Sequence, residues 1–110
     1  MHFLCTLQDV PEGESRGFEF GPKSVVAVMR DGQLYTYLNW CPHLGIELNF
    51  MPDDFLDMDR QFITCANHGA LFEIETGMCL SGPCQGEPLA AIRHELRGDE
   101  VWVELRDPPT

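Results

Sequence analysis

The sequence predicts an all-β domain, an antiparallel sandwich with a loop-rich subdomain inserted into it. Three observations carry this. Short runs rich in β-branched and aromatic residues are separated by turn dipeptides. Near the end, Val101, Val103 and Leu105 alternate with Glu100, Trp102, Glu104 and Arg106, the period of two of a half-buried strand. Between Trp40 and Gly86, proline and glycine break every run, at Pro42, Gly45, Pro52, Gly69, Gly77, Gly82 and Pro83.

The elements follow in order. His2-Phe3-Leu4-Cys5-Thr6-Leu7 reads as a first strand with Cys5 in the core. Val25-Val26-Ala27-Val28-Met29-Arg30 and Gln33-Leu34-Tyr35-Thr36-Tyr37-Leu38 flank Asp31-Gly32. Aspartate and glycine tolerate positive φ, so this pair predicts a type I′ hairpin. Ala70-Leu71-Phe72-Glu73-Ile74, the turn Glu75-Thr76-Gly77 and the return Met78-Cys79-Leu80 form a second hairpin. Leu89 to Leu96 and Val101 to Leu105, joined by Arg97-Gly98-Asp99-Glu100, form a third. The acidic stretch from Pro52 to Arg60 interleaves four aspartates with Phe55, Leu56 and Met58. It reads as a solvated loop pinned by those apolar residues, with a short amphipathic helical turn as the alternative.

Length and charge set limits on function. A chain of 110 residues is one domain. With 7 Lys and Arg against 18 Asp and Glu the net charge is −11, which leaves too few cations to neutralise a run of phosphates. Nucleic acid and anionic membrane surfaces are therefore poor partners, whereas a basic face on another protein remains open. The acidic surface also has the simpler reading of keeping the protein in solution. The first basic residue is Arg16, so no secretory signal is expected, and the longest aliphatic run is too short to span a bilayer. Five cysteines cannot all pair, and a reducing, cytoplasmic compartment is expected.

The chemistry concentrates in two short motifs, Cys41-Pro42-His43-Leu44-Gly45 and Cys65-Ala66-Asn67-His68-Gly69. Each pairs a thiol with an imidazole beside a glycine, and 21 residues separate His43 from Cys65. A single zinc ion prefers wider spacing within each pair, because Cys41 and His43 must converge across one residue. Two irons remove the difficulty if the cysteines take one and the histidines the other.

This arrangement resembles the Rieske [2Fe–2S] domain, in which two histidines replace two cysteines on one iron. Gly69-Ala70-Leu71-Phe72, Glu75-Thr76-Gly77 and Ser81-Gly82-Pro83 are similar to the segments that follow the family's second ligand loop, the last being its covering proline loop. The resemblance implies one [2Fe–2S] cluster per chain, ligated by Cys41, His43, Cys65 and His68. It also implies a single Rieske-type domain over residues 1–110. Stacked antiparallel sheets, as a sandwich or partly open barrel, would form it, with a cluster-binding subdomain at residues 40–86 between basal strands in 1–39 and 87–110. The loop separation is somewhat long for the family, and the excess falls on the acidic stretch.

Two ferric ions, two sulfides and two thiolates are neutral overall, two charges above a four-thiolate cluster, so such a centre is easier to reduce. Quinol-oxidising members carry a disulfide between the ligand loops and hydroxyl donors to the cluster. Here those positions hold Ile46 and Asn67, and Ala70 and Phe72. The resemblance thus implies a midpoint near the family's lower end, on the order of −150 mV. It also implies a proton on the outer nitrogen of each ligand histidine, coupling potential to pH.

Other residues receive simpler readings. Cys79 and Cys84 flank the proline loop as a half-buried packing residue and a loop thiol, with spare ligands or a small redox pair as the alternatives. His94 packs at a sheet face, Trp102 lies under a loop, and His2 carries no signal. With no dinucleotide-binding motif, the implied function is a ferredoxin carrying single electrons between a flavin-dependent reductase and an oxygenase. Two alternatives stay open: a small electron-transfer subunit of a larger oxidoreductase such as an NAD(P)H-dependent nitrite reductase, and a zinc-stabilised or cluster-free interaction module.

Overall fold

A computed structural model describes residues 1–42, 45–49, 51–66 and 69–107. Its organisation follows from strand β3, Lys23–Arg30, in which Ser24 to Met29 are all buried. Successive strand residues point to opposite faces, so a strand buried at every position must be covered on both. Val26 and Val28 enter one core cluster with Ile63, Cys65, Ala70 and Phe72. Val25, Ala27 and Met29 enter another with Leu4, Cys5, Val101 and Val103.

Three small antiparallel sheets satisfy this demand among the described residues. The central one has β3 between β2 (Ser15–Phe20) and β4 (Gln33–Leu38). On one side lies β1 (His2–Thr6) paired with β9 (Glu100–Glu104), which pairs in turn with β8 (Arg93–Arg97). On the other lie β5 (Phe62–Cys65), β6 (Ala70–Glu73) and β7 (Cys79–Ser81). Stacked antiparallel sheets are what the sequence predicts. Among the described residues no helix is long and apolar enough to cross a membrane.

The first hairpin forms as expected, with Arg30 opposite Gln33 and positive φ at both Asp31 and Gly32, 52° and 76°. The Glu12 carboxylate accepts from both turn amides, at 2.7 and 2.8 Å. In the β8–β9 turn only Gly98 takes positive φ, at 65°. Strand β8 starts at Arg93, later than the Leu89 expected. The preceding segment runs along the open edge of β4 instead. There the Leu38 amide donates to the Ala90 carbonyl at 2.8 Å and the Ile92 amide to the Thr36 carbonyl at 3.0 Å. Edge amides and carbonyls need partners, and this crossing segment supplies them.

The acidic stretch forms no helix and is docked more firmly than a solvated loop. Phe55 is fully buried beneath Gly17, where a Cβ would stand 3.0 Å from its ring. Asp53 accepts from the Gly17 amide at 2.8 Å, and Asp57 accepts from the amides of Gln61 and Phe62 at 2.8 and 3.0 Å. Met58, expected to help pin the loop, is fully exposed. Trp102 does not lie under a loop. It packs edge-on against Phe3, ring centroids 5.7 Å apart, with the Arg97 guanidinium 4.5 Å above its ring.

His94 meets its expectation. Its Nδ1 lies 2.9 Å from Thr36 Oγ1, whose own proton goes to the Ile92 carbonyl at 2.6 Å. The hydroxyl has a single proton to give, so the ring must donate from Nδ1. Burial holds this imidazole below its ordinary value.

Tyr37 ties the central sheet to the β5–β7 sheet by donating to the buried Ile74 carbonyl. Tyr37→Phe leaves that carbonyl unpaired and is expected to cost about 1–3 kcal/mol, read as a lower urea midpoint with unchanged slope. Burial, then the Asp9 carboxylate, pushes the Cys5 thiol up to about 11 from 9.0. The folded chain thus keeps a proton that the unfolded chain releases, so this contribution is constant below pH 9 and lost as pH climbs through 11. Cys5→Ala should flatten that alkaline fall in Tm.

Candidate metal centre

Cys41 follows β4 and Cys65 ends β5, and both are fully buried in the core cluster between the central and β5–β7 sheets. Each opens a turn of the same design. The Gly45 amide donates to the Cys41 carbonyl at 2.7 Å, and the Gly69 amide to the Cys65 carbonyl at 2.8 Å. Both glycines sit four residues after their cysteine at positive φ, 70° and 66°. That conformation strains any residue with a side chain and closes the chain at once. The Cys-to-Gly spacing in both motifs is therefore a backbone requirement, whatever the cysteines hold. His43 and His68 lie outside the described residues.

The two turns are joined to each other and to the sheets. The Ala66 amide donates to the Leu48 carbonyl, and the Cys41 amide to the Ile46 carbonyl, both at 2.7 Å. Trp40 fills the space beneath Gly45, where a Cβ would stand 2.8 Å from Cζ2. Asn39 was not singled out by sequence. Its buried side chain accepts from the Leu48 amide at 2.7 Å and donates to Asn49 Oδ1 at 3.0 Å and Ser24 Oγ at 3.3 Å. It brackets the first turn against β3. A polar residue ending an apolar strand was its only signal in the chain.

A third segment closes over β6. At Gly82, with φ of 110°, a Cβ would meet the Ala70 Cα and Cβ, both at 2.9 Å. This places Ser81-Gly82-Pro83 against the start of the strand leaving the second turn. Ala70 and Phe72 are both fully buried and bring no hydroxyl to the site. Cys84 is no exposed loop thiol and Cys79 is more than half-buried: each is 2% exposed, and their Sγ atoms are 3.0 Å apart. Burial first, then the hydrogen bond with Cys79, pushes the Cys84 thiol up to about 12.

The described donors fit a cluster on the thiolate side: two fully buried sulfurs on matched, glycine-closed turns, packed among apolar residues such as Leu48, Ile63 and Phe72. Asn39→Ala leaves the buried Leu48 amide without its acceptor. The expected result is a loss of about 1–3 kcal/mol in stability and faster loss of bound iron to a chelator.

Comparison with known proteins agrees with this geometry. The family model for the Rieske [2Fe-2S] domain matches residues 1–99. Ferredoxin CarAc of Metapseudomonas resinovorans is 34% identical over 101 residues, covering 91% of this chain and 89% of its own. The cytochrome b6-f complex iron-sulfur subunit of Chlorobaculum thiosulfatiphilum is also 34% identical, over 95 residues and 86% of this chain. This chain spans only 48% of that subunit's length. Among solved structures, a chain of the complex of reduced oxygenase and oxidized ferredoxin in carbazole 1,9a-dioxygenase superposes with a TM-score of 0.71 at 27% identity. It covers 92% of this chain and 89% of its own. The chain therefore belongs to the Rieske [2Fe–2S] family, whose cofactor is a [2Fe–2S] cluster.

Proposed function

We propose that this chain is a Rieske-type ferredoxin, a cytoplasmic carrier passing single electrons from a flavin-dependent reductase to an oxygenase. The observation that carries the reading is the pair of matched turns presenting two fully buried thiols. Cys41 and Cys65 would ligate one iron and His43 and His68 the other, within a cluster-binding unit over residues 40–86. A bound [2Fe–2S] cluster supplies the one-electron couple.

The chain's own residues hold and shield that site. Gly45 and Gly69 point their amides at the cysteine carbonyls and hold the positive φ that closes each turn, and at Gly45 a side chain would also collide with Trp40. Trp40 supports the first turn, and Gly82 seats the covering segment on Ala70. The similarity to CarAc runs along nearly the full length of both chains and supports a free carrier.

The match to the cytochrome b6-f subunit favours a second reading, a quinol-oxidising centre. The side chains oppose it. Hydroxyl donors stabilise the reduced, more negative state, and the buried Ala70 and Phe72 supply none.

Anaerobically purified protein is expected to be reddish-brown, to contain two irons and two sulfides per chain, and to bleach with dithionite. Colourless protein containing zinc would overturn the reading. His68→Ala should abolish the spectrum and His43→Cys should abolish or transform it, while His94→Ala leaves it intact. Redox titration should give a midpoint on the order of −150 mV. A clearly positive value would favour the quinol-oxidising alternative.

A further inference from the structure

The cysteines beside the covering loop form an arrangement that electron carriage through Cys41 and Cys65 does not use. Cys79 lies on β7, and its backbone is held against the far end of the loop. Its amide donates to the Glu87 carbonyl, and its carbonyl accepts from the Gly86 amide, both at 3.1 Å. The Gln85 amide turns back to the Gly82 carbonyl at 3.2 Å, and the Glu87 amide to the Cys84 carbonyl at 2.9 Å. This folding carries Cys84 inward, five positions along the chain, until its Sγ stands 3.0 Å from that of Cys79. Ser81, Gly82, Pro83, Gln85 and Gly86 are all exposed while Cys84 is buried. A local opening of this short loop would present Cys84 to solvent without disturbing the sheets.

We infer that Cys79 and Cys84 form a second redox site, a dithiol that a low-molecular-weight disulfide oxidises to an intramolecular disulfide, bolting the covering loop to β7. Closing the pair requires the sulfurs to approach by about 1 Å, to a bond of about 2.05 Å. The Cys84 thiolate attacks one sulfur of glutathione disulfide, breaking its S–S bond and releasing one glutathione thiol. The Cys79 thiolate then attacks the Cys84 sulfur of the mixed disulfide and releases the second. Two electrons and two protons leave the protein and appear on two glutathione molecules. Cys5 belongs to the opposite core cluster and takes no part.

The test uses anaerobically purified protein as isolated, incubated with glutathione disulfide, quenched in acid, alkylated with N-ethylmaleimide and mapped by mass spectrometry. The expected product carries maleimide on Cys5, Cys41 and Cys65 but none on Cys79 or Cys84. It is lighter than the unalkylated dithiol peptide by two hydrogens, and dithiothreitol reverses the change. Cys84→Ala should yield no intramolecular link. Recovery of Cys79 and Cys84 as two alkylated thiols overturns the inference. So does a stable mixed disulfide at either, or a link through Cys41 or Cys65 in place of this pair. The readout is covalent and independent of electron transfer, so it can fail while the carrier reading stands, and the reverse.

Discussion

The structure depends on one strand that cannot be left facing water. β3 is buried along six consecutive positions, so it needs a sheet on each face, and the chain supplies one cover from its two ends and the other from its middle. The terminal strands β1 and β9 close one face and the middle strands β5 to β7 the other. Burying both faces of a small sheet gives a short chain two cores instead of one. It also makes the position of the β5–β7 sheet a consequence of packing on Val26 and Val28. The Cys41 and Cys65 turns inherit their place from that contact.

Around the site the chain works through backbone geometry more than through side-chain chemistry. Two cysteines hold comparable positions because two glycines close comparable turns. Asn39 then anchors one turn to the central sheet, while the Ala66–Leu48 bond anchors the turns to each other. Such bracing suits a centre whose ligands must stay in register through changes of charge, since each backbone bond removes a direction in which the loops could relax.

The excess of acid has a structural use beyond solubility. Asp9 accepts from the Thr6 amide, Glu12 from Asp31 and Gly32, Asp53 from Gly17, and Asp57 from Gln61 and Phe62. In each case a carboxylate satisfies amides that a turn, a strand end or, at Gly17, the edge strand β2 leaves unpaired, and ionised acceptors make the stronger bonds. Asp53 and Asp57 do this within the longer connection between the Cys41 and Cys65 turns, which makes the acidic stretch a docked segment.

The sequence by itself determined the all-β class, the Asp31-Gly32 hairpin and the paired Cys-His motifs. Each of these rests on local rules: alternation, positive φ at particular residue types, and donor chemistry at fixed spacing. It also marked the proline loop. Only the tertiary structure decided which contacts cross between elements. The Leu89 to Ile92 segment reads as strand by composition, yet it runs along the edge of β4 because that edge lacked partners. Asn39 becomes a bracket only once Leu48, Asn49 and Ser24 converge on it. In the chain Cys79 and Cys84 read as a packing residue and a loop thiol, with a redox pair only as an alternative, and the fold of the covering loop is what brings their sulfurs to 3.0 Å. Local pattern encodes elements, whereas long-range juxtaposition depends on how buried surfaces and unpaired backbone groups are jointly satisfied, and no short window of sequence contains that information.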